Sequence, residues 1–141
     1  MFRRSYDLLS RFVDEALRAY PVDRSEVYLL GFSMGSVMSY ALALTRPGLF
    51  RGVIAASGYV PEGTHLDLTW SEAHRTPFFI AHGTADPVIP VAMARRAKKL
   101  FDDAHGVVEY REYPMAHEIS QASLGDSVAF LERLRGTIPP A

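Results

Sequence analysis

Three short apolar runs constrain this chain more than anything else in it: VYLL (residues 27–30), GVIAAS (52–57) and FFIAHG (78–83). None of them alternates apolar with polar residues. A strand made from such a run must be covered on both faces, which is the situation inside a parallel sheet. Parallel strands need long crossovers, and the segments between the runs have the character to supply them.

Residues 2–20 place Phe2, Tyr6, Leu9, Val13, Leu17 and Tyr20 at three- and four-residue steps, with Arg3/Asp7 and Asp14/Arg18 four apart on the other face. That spacing predicts an amphipathic helix, ended by Pro21. Residues 34–45 read as a buried helix with Val37, Met38, Ala41 and Leu44 inward, closed by the turn signal TRPG. Residues 58–77 form a long, turn-rich connection holding the one tryptophan, a length typical of a lid or binding loop. Pro90 suits the start of a helix running through Phe101, with Ala94, Ala97, Leu100 and Phe101 facing inward. The ARRAKKLF stretch within it reads as a solvated helix face. VVEYREY (107–113) alternates more clearly and suits a strand nearer a sheet edge. A last helix over residues 120–135 stops at Gly136, ahead of a Pro139-Pro140 tail. Strand and helix alternate throughout. The expectation is a single α/β domain over residues 1–141, a short parallel sheet of about four strands with flanking helices.

Composition removes several function classes. Fifteen basic and 16 acidic residues leave a formal charge of −1, too little to draw in nucleic acid or anionic lipid. The chain has no cysteine, hence no thiolate nucleophile, disulfide or zinc–thiolate site. Its opening residues, MFRRSYDLLSRF, lack the apolar core of a secretory signal, and no apolar run approaches the ~18 residues of a membrane span. No nucleic-acid or membrane partner is expected, and the cytoplasm is the default location. His65, His74 and His82 with Asp86 lack the spacing of a ligand set, so neither metal nor cofactor is expected.

GFSMG fits G-x-S-x-G with Gly31, Ser33 and Gly35. Three fixed residues give about one chance match in twenty chains of this length, so the pattern alone is weak. Its setting is stronger: it follows a buried strand and opens a helix, as a nucleophile elbow requires. The glycines would let the backbone turn sharply. The helix start, with the Met34 N–H first, would face a developing oxyanion. Serine becomes a nucleophile only when a base takes its proton and the base is itself held in one tautomer. Asp86, in the turn after the third apolar run, and His117, just past the fourth strand, are the candidates. Positions following the C-terminal ends of parallel strands converge on one rim of the sheet. Plainer roles exist for each. Ser33 suits a tight turn, Asp86 before Pro87 can shape its own loop, and His117 can cap the last helix. His82 reads as packing beneath the Asp86 loop.

GFSMGS, HGTADPVIP and YPMAHEIS together resemble the three catalytic segments of α/β-hydrolases, in that superfamily's order of Ser, Asp, His. They are most similar to the phospholipase/carboxylesterase branch, which includes acyl-protein thioesterases and short-chain esterases. The resemblance covers nearly the whole chain and implies a truncated α/β-hydrolase fold. It implies Ser33 as nucleophile, His117 as general base and Asp86 as orienting acid, in a serine hydrolase that cleaves short-chain carboxylic esters through an acyl-enzyme. Met34, Trp70, Val88, Ile89 and Met115 are candidates to line a substrate pocket; core packing accounts for them equally well. Complete family members carry several strands before the elbow and a His-Gly-Gly-like loop that adds an oxyanion N–H. Here one helix precedes the elbow strand and the first glycine is Gly31, so Met34 is the one donor that can be named. VYLL would then form an open, apolar sheet edge. A homodimer covering that edge is the expectation; a shifted N-terminal helix, or dependence on an absent half, are the alternatives. The competing functional class is a non-catalytic hydrolase module whose open edge serves as an interaction surface.

Overall fold

Each apolar run becomes a strand in the computed structural model, which describes residues 1–136; the Pro139-Pro140 tail lies outside the described residues. The strands are β1 (Tyr28–Phe32), β2 (Gly52–Ala56), β3 (Phe78–Gly83) and β4 (Val108–Tyr113). They form one parallel sheet in the order β1-β2-β3-β4, with Leu30 opposite Ile54, Ile54 opposite Phe79 and Phe79 opposite Glu109. Helices α1 (Phe2–Ala19), α2 (Met34–Thr45), α3 (Val91–Asp103) and α4 (Gln121–Gly136) flank it. None of the described helices is long and apolar enough to cross a membrane.

Every residue of β2 and β3 is buried, which is why their runs carry no polar alternation. Val53, Ala55, Phe78 and Ile80 pack on one face against Tyr40, Leu42 and Leu44 of α2 and Ala94, Ala97 and Phe101 of α3. Ile54, Phe79 and Ala81 pack on the other face with Phe130 of α4. The two outer strands differ. β4 carries charges, with Glu112 paired to Arg95 and Glu109 to Arg133. Such charges suit a sheet edge. β1 carries none, and its Leu30 is 61% exposed.

α1 does not shift to cover that edge. It is tied to α2 instead: the Tyr6 hydroxyl lies 2.7 Å from Thr45 Oγ1, and Arg46 reaches Asp14 and the Ser10 carbonyl.

The connection between β2 and β3 packs its later part onto the core. Its last third winds into a 3₁₀ turn, Trp70–Arg75, with Ala73 buried. Thr69 N–H bonds the Leu44 carbonyl at the end of α2, and Leu68 and Trp70 pack onto the α2/α3 side of the core. No α-helix links β2 to β3, so this segment's apolar side chains help cover the sheet there.

Candidate active site

β1 continues into the G-x-S-x-G motif, further than the apolar run suggested, because Ser33 N–H extends the ladder to the Ala56 carbonyl at 2.9 Å. The chain then reverses. Ser33 has φ 58° and ψ −119° and is followed at once by α2. A side-chain-bearing residue at such φ is strained, and strain of this kind persists only where the surroundings enforce it. The enforcement is visible at Gly31: a Cβ there would lie 2.2 Å from the Gly35 carbonyl oxygen. Only glycine lets the strand end and helix start approach this closely. Gly35 is different. A Cβ on it would meet nothing within 4 Å, so the second glycine of the motif is not demanded by packing.

His117 reaches Ser33, and Asp86 reaches His117, from the loops after β4 and β3 on the same rim of the sheet. Thr84 and Ala85 donate backbone N–H bonds to the Tyr113 and Met115 carbonyls, lashing the loop after β3 to the loop after β4. His117 Nε2 lies 3.0 Å from Ser33 Oγ, and His117 Nδ1 lies 2.8 Å from Asp86 Oδ2. An ionised carboxylate only accepts hydrogen bonds. The Nδ1 must therefore carry the ring proton, which leaves Nε2 as acceptor for the serine hydroxyl.

The two plain readings of Asp86 turn out not to compete. Its Oδ1 accepts the N–H groups of Val88 and Ile89, both at 2.9 Å, and so shapes the turn; its Oδ2 faces His117. Burial pushes this carboxyl up, but the His117 bond, the Ile89 and Val88 amides and the attraction of His117 outweigh it and hold it below the usual carboxylate range. Asp86 is an anion at neutral pH.

Met34 and Gly35 open α2, and their N–H groups are beyond the reach of any carbonyl within the helix. They are the donors available beside Ser33. Met34, 51% exposed, also lines an apolar cleft of about 380 Å³ with Met1, Phe2, Ser5, Gly35 and Met38.

The other pocket candidates separate. Trp70 is at the opposite end of the sheet: its ring meets Phe101 edge-on at 5.3 Å, and Phe101 packs on Phe78, the first residue of β3. It lines no part of this rim, because the connection that carries it is needed as core cover. Met115 is buried with Ile54, Phe79 and Tyr113 on the α4 face, and Ile89 is buried with its amide bound to Asp86. Val88 is exposed beside the Asp86 turn.

One neighbour escaped the sequence reading, and a second does more than that reading gave it. Phe32 stands against the His117 ring, with centroids 4.9 Å apart and planes tilted by 41°. It occupies the first free position of the motif, and only the direction of the strand's last side chain reveals the contact. His82, read as packing, does lie beneath the Asp86 loop, but it also bonds the Ile89 carbonyl at 2.7 Å.

With this geometry in view, the relatives are informative. The phospholipase/carboxylesterase family profile matches residues 1–135. Acyl-protein thioesterase 1 of Debaryomyces hansenii is 28% identical over 134 residues, covering 93% of this chain and 58% of that protein. Its namesake from Neurospora crassa is 31% identical over 138 residues, covering 92% of this chain and 53% of that protein. Among solved structures, the carboxylesterase of Bacillus cereus superposes with a TM-score of 0.80 at 22% identity, covering 94% of this chain and 61% of the other. SOBER1 of Arabidopsis thaliana superposes with a TM-score of 0.79 at 23% identity, covering 95% and 64%. The likeness in structure extends to the α/β-hydrolase fold, and the chain spans about three-fifths or less of the curated relatives just named. Matched over nearly its whole length, this chain belongs to the phospholipase/carboxylesterase family.

Proposed function

We propose that the chain is a serine hydrolase that cleaves carboxylic esters, with Ser33 as nucleophile, His117 as general base and Asp86 as the acid that orients it. One observation carries the reading: the unbroken hydrogen-bonded relay from Ser33 Oγ through both nitrogens of His117 to Asp86. Ser33 Oγ attacks the ester carbonyl while its proton passes to His117 Nε2. The carboxylate of Asp86, already ionised, stabilises the imidazolium that forms. The carbonyl oxygen, now an anion, takes the Met34 N–H at the start of α2. The imidazolium then protonates the leaving alcohol, and the C–O bond breaks to leave an acyl group on Ser33. Water repeats the sequence, giving its proton to His117, and the carboxylic acid departs as Ser33 is restored.

The rim favours small acyl groups. Val88 and Met34 are more than half exposed, and an open surface buries little of a long chain, whereas tight ligand sites enclose most of theirs. The relatives named as thioesterases and carboxylesterases are consistent with an ester or thioester carbonyl.

Incubation with a fluorophosphonate probe tests the assignment. The expected result is a covalent adduct on Ser33, absent from Ser33→Ala. A well-folded sample that takes no label at alkaline pH would instead favour the second reading, a non-catalytic module that binds through the free edge of β1. A series of p-nitrophenyl esters of increasing acyl length then tests the size preference, with acetate and butyrate expected to turn over faster than decanoate.

The same edge supports a homodimer. Its uncharged backbone is free to pair, and two copies related by a two-fold axis would meet through antiparallel β1 strands centred on Leu30. Light scattering is expected to give twice the mass of one chain, falling to a single mass in Leu30→Glu. A wild-type monomer at high concentration removes the dimer.

A further inference from the structure

His82 is a buried titratable side chain near this rim that the relay above leaves idle. It is fully buried within β3. Its Nε2 lies 2.7 Å from the Ile89 carbonyl oxygen, an atom that can only accept. The ring proton is therefore on Nε2, and Nδ1 is bare. That Nδ1 is buried with no hydrogen-bond partner, a costly arrangement that an apolar side chain of similar size would avoid. Whatever His82 contributes is delivered through Nε2.

Nε2 touches the acid limb of the site twice. Ile89, whose carbonyl it holds, gives its own N–H to Asp86 Oδ1 at 2.9 Å. The same Nε2 is 3.5 Å from Asp86 Oδ2, the oxygen that accepts from His117. Residue 89 thus acts as a strut: held from below at its carbonyl, it presents its amide to one carboxylate oxygen. The second oxygen lies between two imidazole N–H groups. The Asp86 side chain is wholly buried, so no water can substitute for a lost partner.

We propose that His82 is a positioning residue for Asp86: by bracing Ile89, it fixes the carboxylate at the distance and angle from which His117 is oriented. The inference rests on the assignment of Ser33, His117 and Asp86 to ester hydrolysis, and its test separates the two.

Three variants are compared with the wild type: His82→Phe, which fills the space without a donor; His82→Gln, whose amide reaches Ile89; and His82→Asn, one carbon too short to reach it. Turnover of p-nitrophenyl acetate is expected to fall about 10- to 100-fold in H82F and H82N through kcat, with KM within about twofold, and to stay within about threefold of wild type in H82Q. In parallel, the low-field proton resonance of His117 Nδ1–H, assigned by its loss in Asp86→Ala, is expected to weaken or shift in H82F and H82N and to persist in H82Q. Folded H82F and H82N proteins with wild-type kcat and an unaltered resonance overturn the proposal. Should H82F fail to fold, equal behaviour of H82Q and H82N overturns it as well. If the wild type neither labels at Ser33 nor turns over ester, the hydrolase reading fails alone, because the resonance still reports whether His82 holds the Asp86–His117 pair.

Discussion

Replacing Gly83 by alanine would add a single methyl group and strike the site where its two loops meet. A Cβ at residue 83 would lie 2.2 Å from the Met115 carbonyl oxygen, 2.3 Å from that of Ala116 and 2.8 Å from the Met115 carbonyl carbon. A carbon and a carbonyl oxygen settle at about 3.3 Å, so one side must retreat by roughly 1 Å. All three atoms are backbone, so no rotamer change can relieve the clash. The segment that must move ends in His117, while Asp86 follows Gly83 by three residues and is tied to it through its own N–H. The displacement therefore falls between Asp86 and His117. Misplacement by about 1 Å costs roughly 100-fold in turnover, and the overpacking costs about 1–3 kcal/mol of stability. The assay pairs kcat on p-nitrophenyl acetate with a thermal melt. Gly125→Ala serves as control: this α4 position has nothing within 4 Å of an added Cβ, and the change gains helix propensity, about 0.5–1 kcal/mol, without touching the rim. A Gly83→Ala protein that melts with the wild type and retains its kcat within threefold would refute the argument.

Other outcomes follow from the same contacts. Glu112 is held down to about 2 from its usual 4.5, first by the paired bonds from Arg95 at 2.8 and 2.9 Å and then by Tyr110. A carboxylate lowered on folding adds stability that is full above pH 4.5 and fades as pH falls toward 2; Glu112→Gln should therefore unfold more easily in urea than wild type at pH 7, with the gap closing in acid, and a pH-independent gap would contradict this. Phe32→Ala removes the ring against His117; aromatic contacts of this kind are worth about 0.5–1.5 kcal/mol, so kcat/KM should drop about 2- to 10-fold with little change in melting temperature, and unchanged kinetics would deny the contact a role. Phe101→Ala empties the aromatic cluster beneath Trp70 at a cost of about 3–5 kcal/mol; tryptophan fluorescence should shift to the red as the edge-on contact is lost, and an unshifted spectrum would argue against the packing described.

Much of the architecture was legible in the residue order because it depends on pattern. Continuous apolar runs mean strands buried on both faces, and β2 and β3 are buried at every position. The charges of VVEYREY fit β4 at a sheet edge. Ser33, Asp86 and His117 could be nominated together because, in a parallel sheet, loops that follow strand C-termini are bound to share one rim. That inference needs only element order.

Direction and distance needed the fold. Trp70 looked like a site residue and is core cover at the far end of the sheet, since a long loop can run either way from its strand. Asp86 seemed to face a choice between shaping its turn and orienting His117; a carboxylate has two oxygens, and it does both. Phe32 is next to Ser33 in sequence and His82 lies four residues before Asp86, yet which way a strand's side chain points, and which backbone carbonyl it meets, is set by elements far along the chain. Periodicity is a local property carried by neighbouring residues, whereas hydrogen bonds of 3 Å between loops 31 and 84 residues apart exist only once the sheet has brought those loops together.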